Sequence, residues 1–424
     1  MERTVKAHAT KFVTYLKEFK KMSFSSKMLV FLYLFSLAPV LYLILMGVNA
    51  RIGLSSINEV LPSIVMGVLA VLSIGALWKR LKWWDLLFVV AVGAFYIYSP
   101  NIYPQTTYDI LMRAPEFLLT VLPYYLIGAS MDLKKDSNTL LHVGRIAVLA
   151  TLLLVVVGRL FGLSMSFYDD RSENMGQAYL FLTPLLFIVW NELRHHNTTD
   201  FLLSGIGLIM LLGFGTRGPV FSLVLFVALM LVIKARSLSK ILLLIIAALV
   251  VILLMDPLLS VFSDILSVFG MSDRAVSSMM DVENMDTSGR DDLWEYLINM
   301  INHNGSYGSG LYSDRSVIVI NGENTYAHNI FLELAFDFGI MITVAVLAVM
   351  LIMFVLDVIK LKNTEMLSLW LVFFCFGFVP LLISDSYLER SEFWLLLGLS
   401  MTVLRTPRNY YTDNDTFTQL TYRK

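Results

Sequence analysis

Arg217 and Arg290 each stand beside glycine, in Gly215-Thr216-Arg217-Gly218-Pro219 and Ser288-Gly289-Arg290-Asp291. A guanidinium makes paired hydrogen bonds to phosphate oxygens and keeps its proton near neutral pH, so each is a candidate anion ligand. Gly218-Pro219 is a turn and helix-start signal, and Ser288-Gly289-Arg290-Asp291 opens like a capping box. An arginine in a first helical turn opposes the helix dipole. Either Asp291 and Asp292 neutralise Arg290 locally, or Arg290 and the free helix N–H groups together form an anion site. His328 opens an apolar segment, where an imidazole can take a proton from a hydroxyl at neutral pH or can simply cap a helix. Glu333 and Asp337 follow one turn apart on one helical face. Arg159, near the end of another apolar segment, is a further candidate whose plainer role is to snorkel toward water.

The elements that position these residues lie in a membrane. Of 424 residues 57% are hydrophobic and only 15% charged, against roughly 25% charged in a soluble domain. The mean hydropathy is +0.71. Long apolar runs account for the excess, so a soluble enzyme, a nucleic-acid-binding domain and a secreted disulfide scaffold are excluded. Cys375 is the single cysteine, which leaves no disulfide framework and no cysteine metal site. The six histidines show no HExxH-like spacing, so neither a metal nor a cofactor is expected.

Apolar stretches of spanning length fall near 28–48, 58–77, 83–99, 114–131, 144–163, 176–190, 200–216, 218–233, 239–256, 329–357, 366–384 and 391–405. The expected fold is an all-α polytopic membrane protein of about 12 transmembrane helices. Residues 1–27 read as an interfacial amphipathic segment, with Phe12, Leu16 and Phe19 at helical spacing among lysines. The first span is read as a membrane helix and not as a cleaved leader. Spans one to nine then occupy 28–256, a large extracytoplasmic loop 257–327, spans ten to twelve 328–405, and a tail 406–424. Within the loop Leu293, Leu297, Met300 and Ile301 recur at helical spacing beside Trp294, predicting an amphipathic helix that stops at Asn304-Gly305. The Gly305, Gly308 and Gly310 turn lacks the Gly-Lys-Ser/Thr of a nucleotide loop and reads as a flexible return to the membrane.

Lysine and arginine set the sidedness, with both termini inside. Every lysine then falls on the inner side, whereas the outer basic residues are all arginines: Arg51, Arg113, Arg171, Arg217, Arg274, Arg290, Arg315 and Arg390. The positive-inside bias acts on both residue types, so this asymmetry either arises by chance or marks an anionic ligand at the outer face.

Three stretches carry a resemblance to a known superfamily. They are Gly213-Phe214-Gly215-Thr216-Arg217-Gly218, Gly289-Arg290-Asp291-Asp292-Leu293-Trp294, and His328-Asn329-Ile330-Phe331-Leu332-Glu333-Leu334 with Gly339. In their order they resemble the O-antigen polymerase and ligase superfamily, the Wzy- and WaaL-like membrane glycosyltransferases, over about residues 176 to 357. One departure is visible: His303-Asn304-Gly305 stands where the family usually has a proline. The resemblance implies a GT-C-like fold and a metal-independent glycosyltransferase at the outer face of the bacterial plasma membrane. It implies an undecaprenyl-pyrophosphate-linked oligosaccharide donor, with a flippase and a chain-length regulator as partner proteins. Carried over residue by residue, it places Arg217 and Arg290 on the pyrophosphate and His328 at the reacting centre. Arg159, Asn329, Glu333 and Trp294 complete the expected substrate-binding set.

The leading reading is a polysaccharide polymerase making O-antigen, capsule or exopolysaccharide, because nothing resembles a docking element for a lipid A core or a pilin. A ligase with the same donor is the nearest alternative. A flippase or other transporter is disfavoured, because the two halves of the chain differ and its polar groups gather at the outer boundary, not mid-membrane.

Overall fold

The structure, a computed structural model, describes residues 80–160, 171–235, 255–269, 276, 290–304, 308–317, 319–320, 323–324 and 326–412. The expected segment 1–27, the spans near 28–48 and 58–77, most of that near 239–256, and the tail beyond 412 lie outside them. The described residues are helical apart from a two-residue ladder in which Val319 pairs with Asn324 and Ile320 with Glu323.

In chain order, α1 is Trp83–Ile102, and α2, Thr107–Glu116, passes through a π turn at Phe117–Val121 into α3, Leu122–Ser130. Helices α4 (Leu133–Leu160) and α5 (Arg171–His195) follow, then the pair α6 (Thr198–Gly213) and α7 (Arg217–Lys234). Next come α8 (Met255–Phe269), α9 (Arg290–Asn304) and the short α10 (Ser313–Val317). The chain closes with α11 (Ile330–Phe338), α12 (Ile340–Leu361), α13 (Glu365–Gly377), α14 (Ser391–Arg405) and α15 (Arg408–Thr412).

Among the described residues four helical segments are long and apolar enough to cross a membrane: Trp83–Ile102, Arg217–Lys234, Ile340–Leu361 and Glu365–Leu382. The last of these is the centre of the bundle. Its Leu369, Val372, Phe373, Cys375 and Phe376 have no exposed surface, and Phe187 of α5 packs edge-on against Phe373. In contrast, α12 turns Met341, Val344, Val349 and Leu351 outward, which is the lipid-facing side of a membrane helix.

Two helices touch backbone to backbone where glycines permit it. A Cβ on Gly128 of α3 would lie 2.1 Å from the Leu395 carbonyl oxygen, and one on Gly398 of α14 would lie 2.1 Å from that of Tyr125. Such small-residue crossings bring membrane helices close enough for van der Waals packing to hold them. Arg145 of α4 grips Asp200 of α6 through two bonds of 2.7 and 2.6 Å, and Asn191 of α5 donates to the same carboxylate at 2.6 Å. A carboxylate without exposed surface is thereby satisfied by two neighbouring helices.

The structure departs from the sequence expectation in two places that matter for the site. The tenth span, expected to run unbroken over 329–357, is two helices divided at Gly339, whose φ is 79°. The reason lies in the glycine turn before it. Ser309 N–H donates to the Phe336 carbonyl at 2.8 Å and Gly310 N–H to that of Asp337 at 3.0 Å. The orphan carbonyls at the end of α11 are thus taken by another segment, and a Cβ on Gly308 would collide with the Asp337 carbonyl at 2.1 Å. The turn expected to be flexible is a helix cap. Likewise the span expected over 366–384 stops being α-helical at Gly377 and tightens into a 3₁₀ turn, Val379–Leu382, at Pro380.

Gly398→Ala places a methyl group against backbone and is expected to destabilise the α3–α14 pair by about 1–3 kcal/mol. Gly93→Ala is the control, since a Cβ there meets nothing within 4 Å. Thermal unfolding in detergent should drop for the first variant and hold or rise for the second.

Candidate functional site

The turn after α13 creates two carbonyl acceptors. The Pro380 carbonyl receives the N–H groups of Ile383, Ser384 and Asp385 at 3.1, 2.9 and 3.1 Å. This leaves the carbonyls of Ile383 and Ser384 facing the other segments. Arg290 Nη1, at the start of α9, donates to Ile383 O at 2.6 Å. The Tyr326 hydroxyl donates to Ser384 O at 3.2 Å, and His328 Nδ1 lies 3.1 Å from the same oxygen. Tyr179 of α5 shares a short hydrogen bond with the Ser384 hydroxyl. Three segments far apart in sequence therefore meet at two consecutive residues.

Arg217 reaches the same place through its glycines. Gly215 has φ 73° and its N–H bonds to Leu212 O at 3.0 Å, ending α6 in a left-handed turn. Thr216 is extended, and α7 starts at Arg217. Gly218 then packs so tightly that a Cβ would sit 2.0 Å from the Tyr179 hydroxyl and 3.3 Å from the Ser384 hydroxyl. Burial lowers the pKa of Arg290 from its ordinary value. The nearby Tyr179 and Tyr326 oppose that fall, and the neighbouring Arg217 charge adds to it. Like charges near one another repel, and an anion beside them would be stabilised.

His328 sits in the left-handed region at φ 53°, a strained conformation that recurs at functional positions. Its ring lies against Tyr326 with centroids 4.2 Å apart. A carbonyl only accepts, so the bond to Ser384 puts the proton on Nδ1 and leaves the lone pair of the neutral ring on Nε2. Burial holds the imidazole below the ordinary 6.5; the Ser384 bond counters part of that, and Arg290 deepens it. Burial also pushes the Asp385 carboxyl up to about 6, with Arg390, 3.1 Å away, limiting the rise.

The other expected residues hold this arrangement or stand apart from it. Asn329 caps α11, accepting from Phe331 N at 2.9 Å and Leu332 N at 3.4 Å. Trp294 donates to Ala327 O at 3.0 Å and so anchors the backbone before His328. Leu293, Leu297 and Ile301 of α9 pack on Ala327 and Phe336. Glu333 is fully buried and faces Arg315, Ser386 and the Tyr387 N–H, away from the two carbonyls. Arg159 lies in the last turn of α4, and its side chain is outside the described residues. Sequence reasoning missed Tyr179, Tyr326, Ser384, Asp385 and the role of Arg315. Arg315 alone carried a signal, as one of the outer arginines.

An entirely apolar groove of about 550 Å³ lies beside the site. Leu229 of α7, Leu347 and Phe354 of α12, Trp370 of α13 and Phe378 line it, with Phe331, three residues after His328, in its wall.

A helical membrane protein in which Arg290 and His328 converge on one loop, with Arg217 opening the helix nearby, defines the class. Residues 202–347 match the family model Wzy_C, described as O-antigen ligase, which supports the resemblance to the O-antigen polymerase and ligase superfamily over that part of the chain. The match contains Arg217, Arg290 and His328. No curated protein and no solved structure matches the chain.

Because Gly218 leaves room for the Tyr179 hydroxyl, Gly218→Ala should displace Tyr179 and lower activity below that of Tyr179→Phe. The double variant Gly218→Ala/Tyr179→Phe, with the colliding oxygen gone, should recover to the Tyr179→Phe level in a transfer assay.

Proposed function

We propose that the protein is a polysaccharide polymerase of the bacterial plasma membrane, acting at its outer face within a GT-C-like bundle of about twelve spans. It transfers glycan from an undecaprenyl-pyrophosphate donor to a sugar hydroxyl of another lipid-linked repeat unit. The observation that carries this reading is the convergence of Arg290 and His328 at the Ile383–Ser384 carbonyls, with the Arg217 charge near enough to Arg290 to act on it. The adjoining apolar groove suits the hydrocarbon tail of such a donor. A ligase using the same donor is the second reading, favoured by the description of the matching family.

In the reaction the bond between the anomeric carbon and the pyrophosphate oxygen breaks, and one to the acceptor oxygen forms. The leaving pyrophosphate gains negative charge, which Arg217 and Arg290 stabilise from fixed positions. His328 Nε2 takes the acceptor proton, a step typically worth about 10²–10⁴-fold. The arginines supply the charge stabilisation for which other enzymes recruit a divalent cation, so turnover should persist in EDTA.

Reconstitution with synthetic undecaprenyl-pyrophosphate-linked repeats should give a ladder of lengthening products on a gel. No ladder from folded protein and intact donor would shift the assignment to the ligase. Arg217→Ala and Arg290→Ala should each abolish extension, and lysine at either position should restore little, since the fork is lost. His328→Ala should lower kcat by about 10²–10⁴-fold and leave donor KM nearly unchanged. The base must be neutral and its pKa lies below 6.5. The rate should therefore be flat from neutral pH upward and fall only on the acid side of that value; a rate still climbing at pH 8 would refute the assignment.

A further inference from the structure

Both ends of the His328–Ser384 hydrogen bond depend on one dipeptide of α10. Asp314 Oδ2 accepts the N–H of Ala327, the residue before His328, at 3.1 Å, and Asp314 Oδ1 accepts from Arg315 Nη1 at 2.7 Å. Arg315 Nη2 donates at 2.6 Å to the hydroxyl of Ser386, two residues beyond Ser384. The same guanidinium reaches Glu333 and Glu389, each at 3.1 Å. It also lies 5.3 Å from the centre of the Tyr326 ring, which stacks on His328.

Arg315 is an outer arginine and so a potential third ligand for phosphate. Its surroundings argue otherwise: it is 1% exposed, and its two terminal nitrogens are already directed at four protein acceptors. A ligand could reach it only by dismantling that cluster. What the cluster does reach is the backbone just before the base, at Ala327, and the Ser386 side chain two residues beyond its carbonyl partner. A histidine at φ 53° keeps that conformation only when the surrounding structure imposes it.

We propose that Asp314 and Arg315 are positioning residues that hold His328 in the Nδ1–H tautomer, with Nε2 turned toward the acceptor hydroxyl. The catalytic part of this inference rests on reading His328 as the base. A lysine in place of Arg315 keeps the charge but cannot span the acceptors in one plane. Asp314→Asn keeps the shape and removes the charge.

The test uses the full chain in nanodiscs, comparing Arg315→Lys, Asp314→Asn, His328→Ala and the Arg315→Lys/His328→Ala double variant. Steady-state kinetics with the undecaprenyl-pyrophosphate-linked repeat are combined with ¹⁵N NMR of histidine-labelled protein, the His328 signal being identified by its loss in His328→Ala. Arg315→Lys should lower kcat on the order of 10²-fold, as a misplaced catalytic group does, with donor KM unchanged. It should also erase the Nδ1–H signature of His328 and cost nothing further in the His328→Ala background, as groups acting as a unit behave. Asp314→Asn should show the same pattern, which keeps the test decisive if Arg315→Lys fails to insert. An unchanged tautomer signature, or the same fold loss with and without His328, overturns the proposal. Full activity in His328→Ala together with a lost signature in Arg315→Lys would remove the base role and leave the positioning role standing.

Discussion

A guanidinium almost wholly withdrawn from solvent is tolerated only where carboxylates and hydroxyls surround it. Arg315 meets that condition through Asp314, Glu333, Ser386 and Glu389, which come from three separate parts of the chain. Removing Arg315 would leave the buried Asp314 and Glu333 carboxylates without their shared counter-charge. The helix carrying Glu333, the segment leading to His328 and the loop after α13 are therefore bound to one another. The placement of the Ser384 carbonyl and of His328 is tied to that cluster through Ser386 and Ala327.

The second constraint is geometric. A straight helix from 329 to 357 would offer only one register for His328 relative to the bundle. The break at Gly339 frees α11 to adopt its own direction, and the 308–310 segment closes its end with backbone hydrogen bonds. Glycine serves here as a means of approach: Gly308, Gly218 and Gly128 each admit an atom where a side chain would stand. The chemistry is carried by charged and aromatic residues, but their distances are set by residues with no side chain.

The local signals in the sequence were strong where the physics is local. The Thr216-Arg217-Gly218-Pro219 turn and the periodic Leu293, Leu297 and Ile301 were legible, because turn chemistry and helical spacing act over a few residues. The break at Gly339 was not, because it depends on a partner some thirty residues earlier in the chain. Nor was the role of Ser384, which contributes a backbone carbonyl and a hydroxyl, groups that no residue pattern distinguishes. Glu333 was legible as a carboxylate one turn from Asp337, but nothing nearby in sequence identified Arg315 as its partner.

The two carbonyls that receive Arg290 and His328 lie between α13 and α14, close to the end of the chain. As the protein is synthesised, Arg217, Arg290 and His328 enter the membrane before the residues that will hold them in place. Full organisation of the site must await Glu365–Leu382 and the docking of Ser391–Arg405 against α3. A chain truncated before α13 would thus carry these side chains without the loop that holds Arg290 and His328.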